Sequence, residues 1–146
     1  MSTSMTRAER EAFLAAVHVG VISIADPGRG PLTAPIWYAY EPGGEVAVIT
    51  GRDSRKGRLL ASSPRISLCA QTEAPPYQYV SVEGPVTYVG PADREKLGRA
   101  LAHRYLGPEL GERYLEATAA DAAEGFVVRM RPERWLTVDY AKQFSG

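Results

Sequence analysis

Residues 46–65 read VAVITGRDSRKGRLLASSPR. An apolar, β-branched run ends at Thr50-Gly51, and the chain then turns through Arg52, Asp53 and Ser54. It enters a basic stretch, Arg55-Lys56-Gly57-Arg58, continues as a short amphipathic segment and stops before Pro64. A strand that leads through a polar turn into a basic helix start suits an anion. The helix N-terminus carries unpaired N–H groups, Ser54 adds a hydroxyl, and the cationic side chains add charge. Phosphate is the expected guest. Cations in a first helical turn oppose the macrodipole, a mild cost that a bound anion would offset. The plainer alternative is a solvated basic face.

The sequence on either side reads mainly as strands. Val19 to Ala25 is apolar and β-branched, and Asp26-Pro27-Gly28-Arg29-Gly30-Pro31 is dense turn chemistry. Thr33 to Tyr40 reads as a second strand, and Glu41-Pro42-Gly43-Gly44 as the hairpin turn into a third, Glu45 to Thr50. Arg65 to Gln71 and Tyr79 to Tyr88 follow, the latter alternating through Val80, Val82 and Val86, with Gly84-Pro85 marking a bulge or an edge. Gly125 to Met130 and Trp135 to Asp139 close the set. Helices are expected in three further places. Thr6-Arg7-Ala8-Glu9 fits a capping box, with a short helix through Val17 and His18 capping a carbonyl or facing solvent just beyond. Pro91 suits the first position of a helix whose apolar face is Leu97, Leu101 and Tyr105. Gly107-Pro108 breaks that helix, and another runs from about Glu109 to Ala122. Only the first few residues read as disordered.

Six or more strands joined mostly by hairpin-length turns predict a mainly β fold with flanking helices, an antiparallel barrel over residues 1–146 as one domain. A doubly wound sheet would need strands alternating with helices, and no GxGxxG occurs. Lys plus Arg and Asp plus Glu both number 17, so no global basic field exists for nucleic acid or membrane. One cysteine, Cys69, excludes an intramolecular disulfide and a cysteine zinc cluster, and its strand setting reads as an inert, buried thiol. His18 and His103 lack metal-ligand spacing, so no metal is expected. No apolar run reaches the roughly 20 residues of a membrane span, and the polar start is no signal peptide, so a cytoplasmic protein is expected.

Four segments, in order, resemble the pyridoxamine 5′-phosphate oxidase-like split-barrel superfamily of flavin- and deazaflavin-dependent oxidoreductases. They are Gly30-Pro31-Leu32-Thr33-Ala34-Pro35-Ile36-Trp37-Tyr38, Ile49-Thr50-Gly51-Arg52-Asp53-Ser54-Arg55-Lys56, Ser63-Pro64-Arg65-Ile66-Ser67-Leu68 and Tyr79-Val80-Ser81-Val82-Glu83-Gly84. The resemblance implies a split β-barrel, a homodimer with two cofactor sites in the subunit groove, and FMN or F420 as cofactor. It also implies roles. Ser54, Arg55 and Lys56 match the phosphate-binding segment, and Arg58 supports the same phosphate or faces solvent. Pro35, Ile36 and Trp37 match the segment along the ring, and Thr50 stands at the ring's polar edge. Gln71 and Tyr79 match positions that approach from a neighbouring strand or from the second subunit. Trp37 and Trp135 have ordinary core or interface readings beside this one, as do Tyr77, Tyr79, Tyr105 and Tyr114 beside a place in a substrate cavity.

Arg131-Pro132-Glu133-Arg134-Trp135-Leu136-Thr137-Val138 departs from the Arg-rich ending that grips pyridoxine phosphate, which argues against vitamin B6 oxidation. Within the resemblance, that shorter ending is similar to those of the generic and F420-using branches, and the Ala/Arg/Gly/Pro-rich composition suggests a high-GC genome of the kind in which F420-dependent relatives are common, so the implied cofactor tilts from FMN towards F420. The implied activity is hydride transfer between the cofactor and a small conjugated or aromatic substrate, with no side chain identified as catalytic acid, base or nucleophile. The alternative is a non-catalytic carrier or sensor of a flavin, F420 or haem-like ligand.

Overall fold

The computed structural model describes residues 2–120 and 125–144. Its elements in chain order are α1 (Arg7–Ala15), β1 (Gly20–Ile24), β2 (Leu32–Ile36), β3 (Val46–Gly51), α2 (Arg55–Ser62), β4 (Arg65–Gln71), β5 (Gln78–Pro91), α3 (Arg99–Ala117), β6 (Gly125–Met130) and β7 (Arg134–Asp139). A π-helical turn, Arg94–Gly98, leads into α3, and a 3-10 turn, Tyr140–Gln143, follows β7.

Every strand pairing is antiparallel, in the order β2-β1-β4-β5-β6-β3, with β7 on β5. β5 is long enough, at 14 residues, to serve two neighbours in turn along one edge: its first part pairs with β7 and its second with β6. Thr87 is the extra residue where the register slips between Val86 and Tyr88, a bulge three residues beyond Gly84. The sheet rolls up until Ala39, just past β2, exchanges backbone hydrogen bonds of 2.9 and 3.0 Å with Ala47 of β3. A barrel joined along one seam by so narrow a bridge is a split barrel.

Alternation along the strands fills the inside. Ile22, Ile24, Leu68, Ala70, Val80, Val82, Val128 and Met130 are all at most 1% exposed, and Leu14 of α1 and Leu60 of α2 join them. α1 starts at the expected capping box: the Thr6 hydroxyl accepts from Glu9 N–H, and the Glu9 carboxylate accepts from Thr6 N–H at 2.7 Å.

Four local expectations need correction. The second strand ends at Ile36 rather than Tyr40, because Trp37 and Tyr38 turn to meet α3 and α1. Pro91 is the last residue of β5, and Asp93 caps the helical turn instead by accepting from Lys96 N–H at 3.0 Å. The first residues are held rather than loose: Asp139 N–H donates to the Thr3 carbonyl, Met5 N–H donates to Thr137 Oγ1, and Met5 is buried. His18 stacks on Phe13 at 4.3 Å with Nε2 shielded, and burial holds its pKa below the ordinary histidine value.

The break at Gly107-Pro108 is real and larger than a kink. Gly107 has φ 81°, and the chain folds back there into a helical hairpin. Gly111 lies so close to Ala102 that a Cβ would come within 3.1 Å of that residue's carbonyl. Arg99 and His103 on the first arm both engage Glu112 on the second. The second arm is helical through Ala117; Ala122, its expected end, lies outside the described residues.

Candidate functional site

α2 begins directly behind the end of β3, and its first turn is built to sit there. Ser54 is the N-cap: its hydroxyl accepts from Gly57 N–H at 2.9 Å and donates to the Gly51 carbonyl at 3.1 Å. Position 57 must be glycine, since any Cβ would overlap the Gly51 carbonyl oxygen. The N–H groups of Arg55 and Lys56 have no acceptor within the helix, and no acidic residue stands in the first turn.

The four basic residues of this segment separate in structure. Arg55 is ion-paired to Asp26 in the β1–β2 turn. Arg58 folds back to donate to the Asp53 carbonyl at 2.6 Å. Arg52 lies over the Phe126 ring at 5.9 Å, and Lys56 reaches a cavity; among the described residues neither has an ion-pair partner.

That cavity, of about 280 Å³, is walled by Val19, Pro35, Ile36, Trp37, Ile49 and Tyr114, with Lys56 at its basic end. The structure therefore brings together Pro35, Ile36, Trp37 and Lys56, which are up to 21 residues apart in sequence. A second cavity of about 300 Å³ adjoins it, sharing Ile49 and Tyr114; Thr50, 8% exposed, lines this one instead.

Trp37 is held from behind by both arms of α3. Its ring stacks on Tyr105 at 5.1 Å with only 5° between the planes, and Tyr114 tilts against it at 5.1 Å. Tyr105 is itself pinned to the barrel: its hydroxyl donates to the His18 carbonyl at 2.7 Å and accepts from Tyr38 N–H at 3.1 Å. Arg104 beside it donates to the Ala16 carbonyl at 2.8 Å. Tyr38 is fully buried, donates to the Leu14 carbonyl at 2.7 Å, and burial raises its phenol pKa well above the usual tyrosine value.

Gln71 and Tyr79 oppose each other in the β4–β5 ladder, on the outward face of the sheet, and neither lines either cavity. Trp135 stands elsewhere, packed on the core beside Tyr40 and Arg10. Cys69 is not buried as expected but half-buried on the outward face of β4, and that partial burial pushes its thiol up. Val19, Ile49 and the anchoring role of Tyr105 were not identified from sequence. The first two are apolar strand residues with no chemical mark, and Tyr105 reads in sequence as part of a helix face or of a substrate cavity, not as an anchor to the barrel.

The family model for pyridoxamine 5′-phosphate oxidase matches residues 6–139, and the chain belongs to that family. Among solved structures, an F420 reductase aligns with TM-score 0.71 at 23% identity, over 86% of this chain and 94% of that one. A conserved hypothetical protein of Mycobacterium tuberculosis aligns with TM-score 0.78 at 22% identity, covering 100% and 92%. An FAD- and heme-binding protein of Mycobacterium smegmatis aligns with TM-score 0.67 at 19% identity, covering 93% and 72%. At these identities the alignments establish the split-barrel fold. A search of curated proteins found no match.

Proposed function

We propose that this protein is an oxidoreductase that uses F420 or FMN, with F420 favoured, to move a hydride to or from a small conjugated or aromatic substrate. The observation that carries the reading is the meeting of Lys56, from the first turn of α2, with the Pro35-Ile36-Trp37 segment at one cavity. Those groups fit a phosphate joined to a flat ring. The free N–H groups of Arg55 and Lys56, with the Lys56 ammonium, suit the phosphate. Ile36, Ile49 and Val19 make an apolar wall, and Trp37 is fixed as a platform by Tyr105. Arg52 is the cation best placed to add charge for an acidic tail, because Arg55 and Arg58 are already engaged. Ser54 then acts as the helix cap rather than as a direct ligand. When bound, the cofactor supplies the hydride chemistry, and the chain's residues hold and orient it. The F420 reductase and the FAD- and heme-binding protein among the structural relatives support a flavin-type ligand.

The proposal includes a homodimer whose second copy borders the site. Pro35, Val21, Cys69, Ser81 and Leu136 are successive register partners across β2, β1, β4, β5 and β7, so their side chains share the outward face. Val21 and Leu136 are 39% and 62% exposed there. One row further from the cavity, Thr33, Ser23, Ser67, Glu83 and Arg134 are all polar. Apart from Ser81, the row nearer the cavity is therefore apolar, and Pro35 belongs both to that face and to the cavity. Gln71 and Tyr79 lie on the same apolar end, which supports their reaching the partner's site.

Titration with FMN and with F420, followed by tryptophan fluorescence, tests the ligand. Micromolar binding of either one supports the reading, and binding of neither removes it. Oxidation of the reduced, bound cofactor by added acceptors then separates an enzyme from a carrier.

A further inference from the structure

At the other end of β3, a strand spanning ~20 Å, α1, the β2–β3 turn and the β6–β7 turn line a separate open cavity of about 220 Å³. Arg7, Arg10 and Arg131 line it, together with Glu11 and Glu133. The two carboxylates are spoken for: Glu11 pairs with Arg7 at 3.3 Å, and Glu133 pairs with Arg131 at 3.1 Å and with Arg65 at 3.0 Å. Arg10 remains. Its Nε is shielded from solvent and has no hydrogen-bond acceptor among the described residues. It lies over the Trp135 indole at 4.6 Å, with Tyr40 edge-on to the same indole at 6.3 Å.

A shielded guanidinium donor with no acceptor is an unfavourable arrangement unless something supplies one. Stacking on an indole uses the face of the guanidinium and leaves its N–H edge, the fork that matches the paired oxygens of a carboxylate or phosphate. Three arginines against two carboxylates leave one net positive charge at the cavity, which one anionic group would neutralise. Neither Lys56 nor any other wall of the cofactor cavity takes part.

We propose that this cavity is a second binding site, for a small oxyanion carried by a metabolite as carboxylate or phosphate, with Arg10 as its principal ligand and Arg7 and Arg131 at its rim.

The test uses Trp37→Phe protein, in which Trp135 is the single tryptophan and reports on Arg10 directly. Inorganic phosphate and succinate are titrated separately at low salt, so that whichever saturates identifies the group. Saturable binding in the millimolar range or tighter is expected, weakened at least about tenfold by Arg10→Gln and severalfold by Arg131→Gln, and unchanged by Lys56→Ala. Arg131 is exposed and its replacement leaves the core untouched, so it decides the matter if Arg10→Gln fails to fold. No saturation by either anion up to about 20 mM overturns the proposal, as does binding that ignores both arginine substitutions or disappears with Lys56.

Discussion

Lys56 is the residue on which the cofactor reading turns, because it joins the open helix start to the ring cavity. Lys56→Ala should weaken F420 or FMN binding by about 1.5–3 kcal/mol, about 10- to 150-fold in Kd, the scale of a hydrogen bond to a charged group. The melting temperature should stay unchanged; unaltered affinity would put the phosphate elsewhere. Glu9 gives a prediction of a different kind. The Lys142 ammonium, and after it the Thr6 N–H, pull its carboxyl from 4.5 down to about 2. A depressed carboxyl stabilises the fold in full above its unfolded pKa and loses that contribution as pH falls through the folded value. Stability should therefore decline between pH 4.5 and about 2 in part through Glu9, and Glu9→Gln should flatten that acid limb in a series of thermal melts. At this scale the sequence was most legible where chemistry marks a residue: Lys56, Trp37 and the Thr6 capping box stand out as types in context. It was least legible where charge alone was the mark. Arg55 reads as a phosphate ligand, and Arg58 as a phosphate ligand or a solvent-facing residue; no local signal shows that Asp26, 29 residues away, pairs with the first or that the Asp53 carbonyl accepts from the second.

The α3 hairpin is the element that couples helix packing to the site. Gly107-Pro108 announced its break, but not that the arms fold against each other, since that depends on Gly111 allowing close approach to Ala102. The strand order was equally beyond a local reading: hairpin-length turns give β1–β2 and β4–β5, whereas β1–β4 and β3–β6 join distant segments through a shared core. Tyr105 is where the hairpin meets the barrel. Its hydroxyl serves His18 and Tyr38 while its ring backs Trp37. Tyr105→Phe keeps the stack and deletes the hydroxyl, leaving the Tyr38 N–H without its partner. The expected loss is about 1–3 kcal/mol of stability. Hydrogen exchange should quicken at the Tyr38 amide and along α3, and cofactor affinity should fall less than with Lys56→Ala. If exchange at Tyr38 is unchanged, the hydroxyl does not anchor the hairpin.

At the scale of the whole molecule, the barrel's outside is graded as deliberately as its inside is filled. A polar row, from Thr33 to Arg134, gives way within two residues along each strand to a row from Pro35 to Leu136 that is apolar except at Ser81 and reaches the cavity through Pro35. An apolar strip confined to the edge of a binding cavity has a ready explanation if a second copy of the chain seats there. Leu136, 62% exposed, is the sharpest probe of that idea. On a monomer, Leu136→Glu is a surface change worth within about 0.5 kcal/mol, and the fold should survive it. In a dimer it brings carboxylates into an apolar interface, where an unpaired charge is strongly disfavoured. Sedimentation should show the native chain at twice 15.9 kDa and the Leu136→Glu chain at 15.9 kDa, with a melting curve that retains its cooperativity. Because Pro35 belongs both to this strip and to the cavity, the monomeric variant should also bind F420 or FMN more weakly although Lys56, Trp37 and α2 are untouched. A native chain that sediments as a monomer would detach the strip from the site. A Leu136→Glu monomer with full affinity would leave the dimer standing but make each cavity complete within one chain.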